Sequence, residues 1–194
     1  MLKKLTLIVT SVVSAFAFNS LDINVNDKDL ELGGRLDMGQ FNYDVEPDTV
    51  FVGARFLHGD KKHSDFTTMY DFYEASFLMK RKVSNSDLSI GLGMKVNHTE
   101  KFTTVPLGAE MSYMLPFGDT VPIYLTGSVY FAPEILAMNN AKSFFEYRAG
   151  LDFELIENGF VSVGYRSIDT NYKTNYGGNL NYNKSVFAGF KFEF

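Results

Sequence analysis

Charged side chains recur through this chain in a pattern that could do chemistry. Arg35, Arg55, Lys80, Lys95, Arg148, Arg166 and Lys191 are interleaved with Asp22, Glu31, Asp37, Glu74, Glu110, Glu146, Asp152, Glu154 and Glu193. They share a phase: at a period of two, each points away from its apolar neighbours. Gathered in one enclosed space, such groups have two uses. They can pair and hydrogen-bond until the space is closed, or they can line a hydrated passage and select ions by sign. Other chemistry has less support. His58, His63 and His98 are the only histidines, with Asp60, Asp65 and Glu100 near them in sequence. Neither His-x-His nor His-Glu-x-x-His spacing occurs, so they read as solvated loop groups and no metal site is expected. Ser64 beside His63 could form a nucleophile and base only by meeting in space. No Gly-x-Ser-x-Gly elbow supports that, and the expectation is a non-enzyme without a cofactor.

The elements that must hold these charges are strands. Leu21, Ile23 and Val25 alternate with Asp22, Asn24 and Asn26, and Leu30, Leu32, Leu36 and Met38 with Glu31, Gly33, Arg35 and Asp37. The same alternation runs through Val50–Phe56, Tyr73–Lys80, Leu88–Asn97, Val105–Leu115, Val121–Tyr130, Phe145–Leu155, Val161–Arg166 and Val186–Phe194. That makes ten candidate strands, most of about the 9–11 residues that cross a membrane when tilted. Eight is the alternative count if weak segments such as the first drop out. Short turns at Val83–Asp87, Pro116–Thr120 and Glu157–Gly159 alternate with longer polar connections at His58–Met69, Ala132–Lys142 and Thr170–Lys184. Asn26–Asp29 and Gly39–Thr49 break that alternation without a sequence explanation.

Composition narrows the class. Aromatic residues make up 15% of the chain, from 19 Phe and 11 Tyr. Beyond residue 17 no apolar run approaches the ~20 residues of a membrane helix. Scattered, alternating hydrophobicity still fits a membrane if the strands close into a barrel, which satisfies every backbone group. The expected fold is therefore all-β, an antiparallel transmembrane β-barrel. A soluble barrel with its apolar face inward is the rival. Glycines on the polar face (Gly33, Gly53, Gly91, Gly93, Gly150, Gly164, Gly189) argue for a crowded interior on that side. The apolar face carries no mid-strand charge, which is what lipid demands.

Met1-Leu2-Lys3-Lys4, the apolar run Leu5–Phe16 and the small-x-small Ala15-Phe16-Ala17 form the layout of a cleaved signal peptide. The expected division is 1–17 as leader and 18–194 as barrel. Losing Lys3 and Lys4 takes the net charge from −5 to −7. A chain so acidic is a poor nucleic-acid binder. With no cysteine there is neither a disulfide framework nor a thiolate metal site.

The chain closes on Gly189-Phe190-Lys191-Phe192-Glu193-Phe194, whose Gly189, Phe192 and Phe194 resemble the signal by which outer-membrane barrels engage their assembly machinery. Phe187 stands where that signal usually has a polar residue. Tyr130-Phe131-Ala132-Pro133-Glu134, Tyr147-Arg148-Ala149-Gly150 and Val163-Gly164-Tyr165-Arg166 resemble the YfaZ family of bacterial outer-membrane proteins. The resemblance implies an exported, porin-like barrel in a Gram-negative outer membrane, in contact with its lipid, and brings no catalytic residue. Lys95, Glu110, Glu146, Arg148, Asp152, Arg166 and Lys191 are the expected lumen lining. A salt-bridged plug ranks ahead of a narrow ion-selective pore, because the inward charges nearly cancel and Tyr124, Tyr130 and Phe187 point inward too. Small solutes would be the partners of a pore. A surface ligand would be the partner of a binding barrel acting through residues 171–183, and a lipid-modifying enzyme is the third reading.

Overall fold

The computed structural model describes residues 19–26, 29–59, 71–84, 86–117, 121–173 and 179–194, the side chains of 179–181 excepted. The leader expected at 1–17 lies outside them, as do His63, Ser64 and residues 174–178.

Among the described residues twelve strands follow one another: β1 (Ser20–Val25), β2 (Asp29–Asp37), β3 (Val50–Gly59), β4 (Phe72–Lys82), β5 (Leu88–His98), β6 (Phe102–Thr104), β7 (Leu107–Met114), β8 (Ile123–Ala132), β9 (Ala137–Asn139), β10 (Ala141–Ile156), β11 (Gly159–Tyr172) and β12 (Asn179–Glu193). All pairings are antiparallel. The ladder runs β4-β3-β2-β1-β12-β11-β10-β8-β7-β5, and pairing of β5 back onto β4 (Tyr73↔His98 to Lys82↔Ser89) closes it. Ten strands thus form the wall. The short β6 and β9 pair with each other and continue the wall at the loop end beyond β7 and β8.

Pro106 explains why Val105–Leu115 is not the single strand its alternation suggests. Proline has no N–H for the ladder, so β6 ends at Thr104 and β7 starts at Leu107. The lone Pro106 carbonyl accepts from the Lys95 amide at 2.9 Å. The connections expected at Ala132–Lys142 and Thr170–Lys184 are mostly ordered backbone. The first holds a 3-10 turn (Glu134–Leu136) and β9, and β11 and β12 extend well into the second.

Side-chain hydrogen bonds hold the irregular pair of connections. At the first, the Asn26 amide donates to the Asp29 carbonyl at 3.1 Å, and the Asn26 side chain accepts from the Asp29 amide at 2.7 Å, which ties the ends of β1 and β2 together. At the second, the Asp37 carboxylate accepts from the Gly39 amide at 2.9 Å and the Asp48 amide at 2.8 Å. That carboxylate staples both ends of the excursion, which explains a long connection between two neighbouring strands.

The polar face is the inner one. Leu92 is 68% exposed and Val186 70%, whereas Glu31, Glu146 and Arg166 are fully buried. A water-soluble barrel would show the reverse, so the outward surface is the lipid surface. An arginine in place of Leu92, at the middle of β5, should then destabilise the barrel by about 2–4 kcal/mol in urea titrations in lipid vesicles. An unchanged midpoint would mean that this surface faces water.

Candidate functional site

The lumen is built in layers, because successive inward residues on each strand lie one step further along the bore. Around the middle comes a ring of ions. Glu31 of β2 accepts from Arg148 of β10 at 2.7 Å and from Arg166 of β11. Arg166 also donates to Asp29 at 2.7 Å and, through Nε, to Asn183 at 3.2 Å, and Asn183 donates in turn to Asp29 at 2.7 Å. Arg55 of β3 pairs with Glu74 and, at 2.7 Å, with Glu146 of β10. Lys95 of β5 lies 3.3 Å from Glu74 and 3.4 Å from Glu146.

Strands β3 and β10 stand five places apart around ten, so the Arg55–Glu146 pair spans the bore from wall to wall. Four acids (Asp29, Glu31, Glu74, Glu146) meet four bases (Arg55, Lys95, Arg148, Arg166) in this layer. Buried charges are tolerable only when neutralised and hydrogen-bonded in this way.

Phe187 is part of this layer. Its ring lies 4.2 Å from the Arg148 guanidinium and 5.9 Å from that of Arg166, within the range of cation–π attraction. Those two arginines are direct cross-strand partners, a repulsive placement. Phe187 and Glu31 together offset it. Gly164 leaves room for the ring: a Cβ there would come 2.7 Å from Phe187 Cζ. The aromatic residue that departs from the usual terminal signal is thus explained by what it touches inside the barrel.

Toward the end where β1 begins and β12 ends, a cavity of about 540 Å³ opens below the ionic layer. Its walls include Asp22, Asn24, Lys80, Arg148, Asp152 and Lys191. Arg35 and Glu110 form a strut across it at 2.9 Å, and the Tyr130 hydroxyl donates to Glu110 at 2.8 Å. Lys191 pairs with Asp152 at 3.1 Å and Glu193 at 3.2 Å. Toward the loop end the bore is filled by apolar side chains: Leu57, Phe72, Phe102, Phe144 and Ile168, with Tyr172 and Tyr182 packed on them. Phe102 lies 6.1 Å from Phe144 and 5.9 Å from Tyr182, and Phe72 lies 5.7 Å from Tyr182. Rings from opposite walls therefore meet across the lumen.

The seven candidate residues divide between two layers. Lys95, Glu146, Arg148 and Arg166 belong to the ionic ring; Glu110, Asp152 and Lys191 belong to the cavity. Asp29 and Asn183 join the ring from stretches whose sequence reads as connections. The signal for Asn183 was present, since the inward parity of Phe187 extends back through Ser185. Tyr182 and Asn183 point into the barrel, which removes both from an outer binding surface. Of the terminal signal, Gly189 lies against Asn24 and the Ile23 carbonyl, where a Cβ would collide. Phe192 and Phe194 face outward. His58 is paired with Asp71 at 2.6 Å and His98 with the Thr103 hydroxyl at 2.9 Å, both at the loop end.

A closed ten-stranded wall, apolar outside and charged within, defines an integral β-barrel of the outer-membrane, porin-like type. The chain belongs to the YfaZ family: the family model described as YfaZ precursor matches residues 4–194. No protein of curated function matches the sequence. Among solved structures, the KdgM porin is similar at 8% identity and a TM-score of 0.47, over 92% of this chain and 99% of that one. The KdgM porin in complex with disordered oligogalacturonate gives 8% identity and a TM-score of 0.45, over 90% and 99%.

Proposed function

We propose that this chain is exported through the periplasm of a Gram-negative cell behind a leader comprising residues 1–17. In this reading residues 18–194 are inserted into the outer membrane by the barrel assembly machinery. There they form an occluded, porin-like barrel without catalytic activity. The end where β1 begins and β12 ends faces the periplasm, so the charged cavity opens on that side and the aromatic plug faces outward. Small solutes would pass only where the plug yields. One observation supports an occluded pore over an open one: ion pairs such as Arg55–Glu146 cross the full bore.

Planar-bilayer recording of the refolded protein tests this reading. Wild type should show small, infrequent openings. Arg148→Ala should increase them and shift selectivity toward cations, because it removes a positive group from the cavity ceiling. Wild type and variant both silent would leave a purely structural barrel.

A further inference from the structure

At the first step beyond the ionic ring the plug is apolar on β4, β10 and β11 but not on β5, while Thr170, one step further along β11, is a second buried hydroxyl without a partner. One step beyond the ionic ring, β4 places Phe72 after Glu74, β10 places Phe144 after Glu146, and β11 places Ile168 after Arg166. On β5 the residue after Lys95 is Asn97, and its cross-strand neighbour on β6 is Thr104. Both are fully buried, yet neither the Asn97 amide nitrogen and oxygen nor the Thr104 hydroxyl has a hydrogen-bond partner. Arg55 Nε, in the ionic ring below, is likewise unpartnered. Leaving the Asn97 amide and the neighbouring Thr104 hydroxyl unpaired beside an apolar plug costs about 1–3 kcal/mol per group. Sites of this kind, polar and enclosed, are where proteins hold internal water. Thr99, just past the end of β5, is also buried, with its hydroxyl bonded at 3.2 Å to the amides of Lys101 and Phe102. It ends at the exposed Glu100–Lys101 turn.

We propose that Asn97 and Thr104 bind a small cluster of water inside the plug. The polar seam Lys95–Asn97–Thr99, flanked by Thr104, is then the line along which water and small ions cross the barrel. The hydration site follows from the unpaired groups alone; the crossing rests on the porin-like reading.

Single cysteines test both parts, since the native chain has none. Asn97→Cys, Thr104→Cys and, on the apolar arc, Ile168→Cys are refolded in detergent, with folding checked by heat-modifiable gel mobility. Each is then exposed to a small cationic methanethiosulfonate. The seam cysteines should react about tenfold faster than Ile168→Cys, because a thiol in apolar surroundings keeps its proton. Equal or inverted rates overturn the hydration site. Thr104→Cys, close in size to the native residue, decides the matter if Asn97→Cys does not fold. In bilayers, modification of a seam cysteine should reduce the current by at least half. An undiminished current through a modified seam overturns the crossing route. A silent wild type with rapidly labelled seam cysteines removes the pore reading and leaves the water site standing.

Discussion

Replacing Glu31 by glutamine should destabilise the barrel by about 3–5 kcal/mol, the penalty for removing one partner from a buried charge cluster. Glu31 is fully buried and accepts from Arg148 and Arg166, with Arg55 at 3.5 Å. Without its charge, four bases face three acids in the middle layer. Arg148 and Arg166, directly opposed across the β10–β11 ladder, then lack the carboxylate between them. The measurement is the urea midpoint in lipid vesicles. Adding Arg148→Gln to Glu31→Gln should restore part of the loss, because it returns the layer to neutrality. A loss below about 1 kcal/mol, the net worth of an ordinary hydrogen bond, would show that the layer is hydrated and its pairs dispensable.

The second large effect belongs to the plug. Phe102 is fully buried and its ring packs on Phe144, Tyr172 and Tyr182. Phe102→Ala should cost about 3–5 kcal/mol, from lost transfer energy and the void left behind. Because β6 borders the polar seam, the void should also merge with it and raise bilayer conductance several-fold. Phe102→Leu, which refills most of the space, should cost less and keep the conductance low. Equal conductance in wild type and Phe102→Ala would place the barrier in the ionic ring instead.

Much of this architecture was legible in the sequence, for a reason tied to lipid. Where a strand faces acyl chains its outward residues must be apolar and its inward ones are free to be charged, so Leu88–Asn97 declares both its type and its phase. Legibility fails where that constraint ends. Lys184 is exposed and pairs with Asp169 at 3.7 Å, so the loop-end parts of β11 and β12 lack the apolar alternation and read as a connection. Partnerships within the lumen failed for another reason. Residue parity assigns Arg55 and Glu146 to the inside, but that they meet depends on strand count, tilt and stagger together. Phe187 was visible as an anomaly, and only the paired arginines beside it supply its reason.

The seam at which the cylinder shuts has a kinetic consequence. Six rungs, from Ser20↔Glu193 to Val25↔Ala188, join the first strand to the last, while β10 and β11 share a ladder more than twice as long. Nearly the whole polypeptide must be threaded before any of those six can form, and long-range pairing of this sort is slow. Hairpins such as β10–β11 can form locally and early; the circle is completed only when the aromatic tail arrives. The rate of forming a finished barrel is therefore expected to follow the formation of this closing β1–β12 seam.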